Sequence, residues 1–69
     1  MFKQKIQDAF NQQVNAELFS SYLYLSMAAH FESQNLKGMA HWMRLQAQEE
    51  HMHAMKFFDF INERGGKVA

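Results

Sequence analysis

The chain has 69 residues, 48% hydrophobic and 14% aromatic, with no cysteine, no proline, and seven Lys and Arg balancing seven Asp and Glu. This excludes a disulfide-stapled scaffold and offers no basic footprint for nucleic acid. A lone core of this size rarely supplies more than ~3–5 kcal/mol, so a metal or oligomerisation is expected to add the rest.

The opening residues Met1-Phe2-Lys3-Gln4-Lys5 lead directly into an amphipathic pattern, without the apolar core of a signal peptide. The first predicted element is a helix over about 3–33. Along it Phe10, Val14, Glu17, Ser21, Tyr24, Ala28 and Phe31 recur at alternating spacings of four and three, a heptad-like seam. Ser33-Gln34-Asn35-Leu36-Lys37 reads as the turn, over about 34–37. It is short, so the flanking helices are expected to be antiparallel neighbours.

The second helix is predicted over about 37–64, with Met39, Met43, Gln46, Glu50, His53, Phe57 and Phe60 at the same spacing. Gly65 and Gly66 end it, and Arg64 in the last turn suits the helix dipole. Lys67-Val68-Ala69 reads as a stub. The fold class is therefore all-α, one helical hairpin over 1–69. No apolar run reaches the roughly 18 residues of a membrane span, and a cytoplasmic location is expected.

Three seam positions are polar where the pattern asks for core. Glu17 lies 18 residues before Asn35 and His53 lies 18 after it, so a hairpin centred there puts them level. Glu50 and His53 form a Glu-x-x-His pair on one helix face. Gln46, Tyr24 and Ser21 fall in adjoining layers. Phe10, Val14, Phe57 and Phe60 are expected to seal one end of this cluster, and Ala28, Phe31, Met39 and Met43 the other.

A carboxylate buried without a partner is costly. One reading is a Glu17–His53 ion pair. Adding Glu50 leaves surplus negative charge, which a divalent cation would neutralise. Hard oxygens plus imidazole, without thiolate, suit Fe, Mn or Zn. Di-metal four-helix bundles use one Glu from each of two helices and Glu-x-x-His from each of the other two. This chain holds half of that set.

Tyr24 reads either as a core tyrosine with its hydroxyl bonded nearby, or as a hydrogen-bond donor or redox-active phenol beside the cluster. Glu49 points about 100° away from Glu50 and is either solvated or a secondary cation position. His30, His41 and His51 fall outside the seam and read as surface or interface residues. The six methionines read as core and interface filler, and no haem is expected.

These stretches resemble the N-terminal half of a bacterial-type non-haem ferritin. The matching runs are Asn11 to Tyr24 (NQQVNAELFSSYLY), Gly38 to Trp42 (GMAHW) and Gln46 to Ala54 (QAQEEHMHA). The resemblance covers essentially the whole chain. It implies that Glu17, Glu50 and His53 are ligands of a ferroxidase centre, that Tyr24 is the tyrosine beside it, and that Glu49 contributes to an accessory iron site. Family members continue through a long crossover into a third and fourth helix.

The resulting expectation is a hairpin that dimerises into a ferritin-like four-helix bundle, with higher assembly favoured by exposed Tyr22, Trp42 and Phe58. Two Glu17, two Glu50 and two His53 would then form a di-iron site shared by the two chains, with Zn or Mn as substitutes. Its function would be Fe(II) oxidation by O2 or peroxide, with iron storage as an extension. The alternative is a shortened or engineered ferritin piece acting as an assembly module, with no ferroxidase activity.

Overall fold

The computed structural model describes residues 3–69; Met1 and Phe2 lie outside the described residues. Helix α1 spans Gln4–Ser33 and helix α2 spans Lys37–Glu63. They pack side by side as an antiparallel hairpin whose Cα trace measures 51 × 14 × 11 Å. Among the described residues there is no strand, and no helix is long and apolar enough to cross a membrane.

Both helices stop in the same way. Asn35 takes φ 60° and Gly65 takes φ 75°, the left-handed geometry that residues after a helix end often adopt. After α1, Asn35 N–H donates to Glu32 C=O and Leu36 N–H to Phe31 C=O. After α2, Gly65 N–H donates to Asn62 C=O and Gly66 N–H to Ile61 C=O. Each set is a complete Schellman motif, which satisfies carbonyls that a helix end would otherwise orphan. The first reverses the chain into α2, and the second turns it back toward α1.

On α1 the contact face follows the expected seam. Val14, Ser21 and Ala28 are buried, and Phe10, Glu17, Tyr24 and Phe31 are half-buried. On α2 the register differs by one residue. The buried line is Ala40, Ala47, Ala54 and Ile61, one every seven residues, with Met43, Glu50 and Phe57 half-buried between them. Met39 is exposed rather than a cap on the core, and His53 is exposed at the edge. The reason is steric: alanines let the α1 backbone approach, so the larger side chains flank the line of closest contact instead of filling it.

Toward the chain ends, Val14, Ala54 and Ile61 form a core with Phe10, Met55, Phe57, Phe58 and Val68 packed against it. Phe10 lies 5.6 Å from Phe57 and 4.8 Å from Phe60, ring centre to ring centre. The Arg64 guanidinium sits 4.9 Å above the Phe60 ring, a cation–π contact. Phe58 is thus drawn into this core, whereas Tyr22 and Trp42 remain exposed.

Residues 67–69 are not a loose stub. The buried Asn11 side chain donates to Lys67 C=O at 2.8 Å and accepts from Ala69 N–H at 2.9 Å. One turn earlier, Gln7 Oε1 accepts from Lys67 N–H at 3.0 Å. One turn later, Asn15 Nδ2 reaches Ala69 C=O at 3.4 Å. Side-chain amides spaced four apart thus hold the segment after α2 along α1.

Candidate metal centre

The hairpin brings Glu17 of α1 opposite Glu50 and His53 of α2. One ligand-capable atom from each lies within 4.8 Å of the others. His53 Nδ1 is 3.6 Å from Glu17 Oε2 and 3.9 Å from Glu50 Oε2. The register at this level is held by a buried hydrogen bond, in which Ser21 Oγ donates to the Ala47 carbonyl at 2.8 Å. Ser21 lies one turn from Glu17, and Ala47 one turn from Glu50, so this bond sits beside the cluster.

The cluster lies on one flank of the helix pair, not sealed between them. The side chains of Glu17, Glu50 and His53 are 17%, 22% and 50% exposed. Apolar layers above and below do not close it within one hairpin. A second layer of protein on that flank would.

The two carboxyls interact directly. Glu17 is held below the ordinary carboxylate value of 4.5, first by a hydrogen bond with Glu50; burial opposes this, and Gln13 and His53 reinforce it. Glu50 is pushed above 4.5, first by that same hydrogen bond, then by burial and by the charges of Glu17 and Glu49, with His53 opposing. The opposed shifts mean that the pair gives up its two protons in separate steps, the one on Glu17 first.

This gives a prediction for the metal-free chain. Glu17, with its titration lowered in the fold, favours folding above 4.5 and loses that contribution as pH falls through its lowered value. Glu50, with its titration raised, favours folding while protonated and loses that as pH rises through its raised value. In a chelating buffer the pair should therefore support the fold best near pH 4.5 and less on either side. Thermal midpoints against pH would test this. Glu50→Gln, which cannot ionise, should remove the pair's alkaline-side fall; an unchanged profile would mean the two carboxyls do not share a proton.

The donor set fits a divalent cation of the Fe, Mn or Zn kind: two carboxylates, one imidazole and no thiolate. Metal–ligand bonds of about 2.0–2.2 Å would draw the three donors slightly closer than they stand. Three donors also leave coordination positions open.

Other residues singled out from the sequence fall as follows. Tyr24 is half-buried on α1, two turns from Glu17. Glu49 is exposed and outside the three-residue cluster, although its charge reaches Glu50. His30, His41 and His51 are exposed. His51 borders an open groove of about 440 Å³ with Ser21, Leu25, Arg44 and Met52. By helical periodicity that groove lies across the seam from Glu17 and Glu50. A residue missed from sequence is Gln13, whose Nε2 donates to Glu17 Oε1 at 3.0 Å. The four-residue spacing of Gln and Glu was the available signal.

The ferritin-like domain family matches residues 7–69. The chain belongs to the ferritin family. It is 50% identical over 66 residues to the bacterial non-heme ferritin of Bacteroides fragilis strain 638R, covering 96% of this chain and 42% of that one. It is 45% identical over 62 residues to the chloroplastic ferritin-1 of Brassica napus, covering 87% of this chain and 24% of that one. Among solved structures, the open-pore ferritin of the hyperthermophilic archaeon Archaeoglobus fulgidus superposes with a TM-score of 0.95 at 59% identity, covering 99% of this chain and 42% of that one. The chain thus spans about two fifths of the length of the bacterial ferritins it matches. Within the ferritin fold, the described helices supply one antiparallel hairpin.

Proposed function

We propose that this protein binds Fe(II) as a substrate at Glu17, Glu50 and His53 and promotes its oxidation, in a four-helix bundle formed by two copies of the hairpin. The observation that carries the reading is the meeting of two carboxylates and one imidazole from both helices of a ferritin-family chain. Three donors are few for two irons. A two-fold partner doubles the set and covers the flank on which the cluster lies. In such a dimer each Glu50 can span two irons while each Glu17 and His53 meets one. Zn(II) and Mn(II) fit the same donors.

The chemistry is simple to balance. Two Fe(II) each give up one electron, and O2 takes both with two protons to become H2O2; with peroxide as oxidant the product is two waters. The carboxylates contribute charge that favours Fe(III) over Fe(II). Tyr24 stands one layer away, where it can donate a hydrogen bond or an electron. Glu49, one residue from Glu50 and exposed, would contribute to an accessory iron site. Fe(II) persists where the surroundings are reducing, so this reading places the protein in the cytoplasm. Storage of the oxidised iron requires assembly beyond the dimer, for which the exposed Phe19, Tyr22, Trp42 and Met52 offer apolar surface.

The test is single-turnover oxidation of added Fe(II), followed by ferric absorbance, with sedimentation of the same sample. A dimer or larger species that takes up about two irons per pair, with Tyr24→Phe slower but equal in stoichiometry, is the expected result. An oligomer that leaves the rate of Fe(II) oxidation at that of buffer would leave the second reading, an assembly module, and a monomer would overturn both.

A further inference from the structure

Glu17 has two carboxylate oxygens, and its surroundings treat them differently. Oε2 is the oxygen 3.6 Å from His53 Nδ1, inside the cluster. Oε1 accepts the Gln13 amide at 3.0 Å. Among the described residues no amide donates in this way to Glu50. Gln13 is one turn before Glu17 on α1 and borders a cleft of about 240 Å³ with Ala9, Phe10 and Phe57. The aromatic walls of that cleft stand beside its side chain.

We infer that Gln13 is a positioning residue for Glu17: its amide holds Oε1, so that a cation in the cluster meets Glu17 through Oε2 alone. The inference rests on the metal-binding reading above and adds how that ligand is presented. The physical basis has two parts. A hydrogen bond to a carboxylate is stronger than one between neutral groups, and it fixes a side chain that would otherwise sample several rotamers. It also takes one lone pair of Oε1 and turns that oxygen toward Gln13, which disfavours a two-oxygen clamp on the metal. Without it, Glu17 is free to rotate and to offer both oxygens.

The test compares Gln13→Met with the unaltered full chain. Methionine has a similar length and helix propensity and no donor, and position 13 is exposed, so the fold should be retained. Zn(II) binding by titration calorimetry at neutral pH should keep its stoichiometry and weaken roughly three- to tenfold, the scale of one ordinary lost hydrogen bond, because Gln13 is exposed to competing water. With Co(II) as a spectroscopic probe, the visible band should fall in intensity as Glu17 becomes a two-oxygen ligand and the coordination number rises. Unchanged affinity together with an unchanged Co(II) spectrum overturns the role of Gln13. Glu17→Ala and Glu50→Ala separate the two levels of the claim. If both abolish binding while Gln13→Met does not alter it, only the positioning role falls. If both bind Zn(II) like the unaltered chain, the cluster is not the site and the functional reading falls with it.

Discussion

Glu50→Ala should abolish most of the thermal stabilisation that Zn(II) gives this protein, while leaving the metal-free form at least as stable as before. The two halves of that expectation have separate causes. A metal that binds only the folded state stabilises it by mass action, by about 2.7 kcal/mol when its free concentration is a hundred times Kd. In a domain of this size each kcal/mol moves the melting midpoint by roughly 4–8 °C, so the metal effect is large and easily read. In the metal-free state, Glu50 is a carboxyl pushed above its ordinary titration by its hydrogen bond with Glu17 and by burial. Holding it ionised at neutral pH opposes folding, and alanine removes that opposition. Zn(II) is preferred to iron because it has no redox chemistry. Scanning calorimetry with and without Zn(II) gives both values. An increment that survives Glu50→Ala would place the metal elsewhere on the chain.

Ala47→Leu should damage both the fold and the metal affinity, although alanine 47 touches no metal in any reading. Ala47 is 2% exposed on the closest-contact line of α2, and its carbonyl accepts the Ser21 hydroxyl. Extra methylenes at such a position force strain costing typically 1–3 kcal/mol. Relief comes by moving α1 outward, which stretches the Ser21 bond and carries Glu17 away from Glu50 and His53. A drop in melting midpoint together with weaker Zn(II) binding is expected. Gln46→Leu is the control, because Gln46 is half-buried at the flank and has room to reorient. If Gln46→Leu proved the more damaging change, the buried line on α2 would be drawn in the wrong register.

That register is where the sequence was hardest to read. The extents of the two helices, the turn at Asn35 and the stop at Gly65 all follow from local signals: period, helix formers and residues that accept positive φ. Counting outward from Asn35 brings Glu17 level with His53 for the same reason. Alanine carries no such signal. It is the best helix former and also the residue that permits the closest helix contact, so Ala40, Ala47 and Ala54 are absent from the seam read from the sequence, which takes Met39, Gln46 and His53 beside them. On a helix, one residue of register is about 100°, which is why His53 lies at the edge and not in the middle. The role of Asn11 was less legible still. Its partners lie 56 and 58 residues away in the chain, and no periodic pattern encodes a contact of that range.

Those contacts of Asn11, with Gln7 and Asn15 on either side, act on main-chain atoms alone. Gln7 and Asn11 meet Lys67 through its N–H and C=O, and Asn11 and Asn15 meet Ala69 through its own. Every amino acid except proline offers the same pair of groups at the same spacing. The clasp is therefore indifferent to which residues follow Gly66; only the seat of Val68 in the core depends on their order. Lys67 or Ala69 can be exchanged for most other side chains without being noticed. Insertion of a single residue after Gly66 would still present N–H and C=O groups to the three amides, but would move Lys67 into the place of Val68 and so take Val68 out of the core.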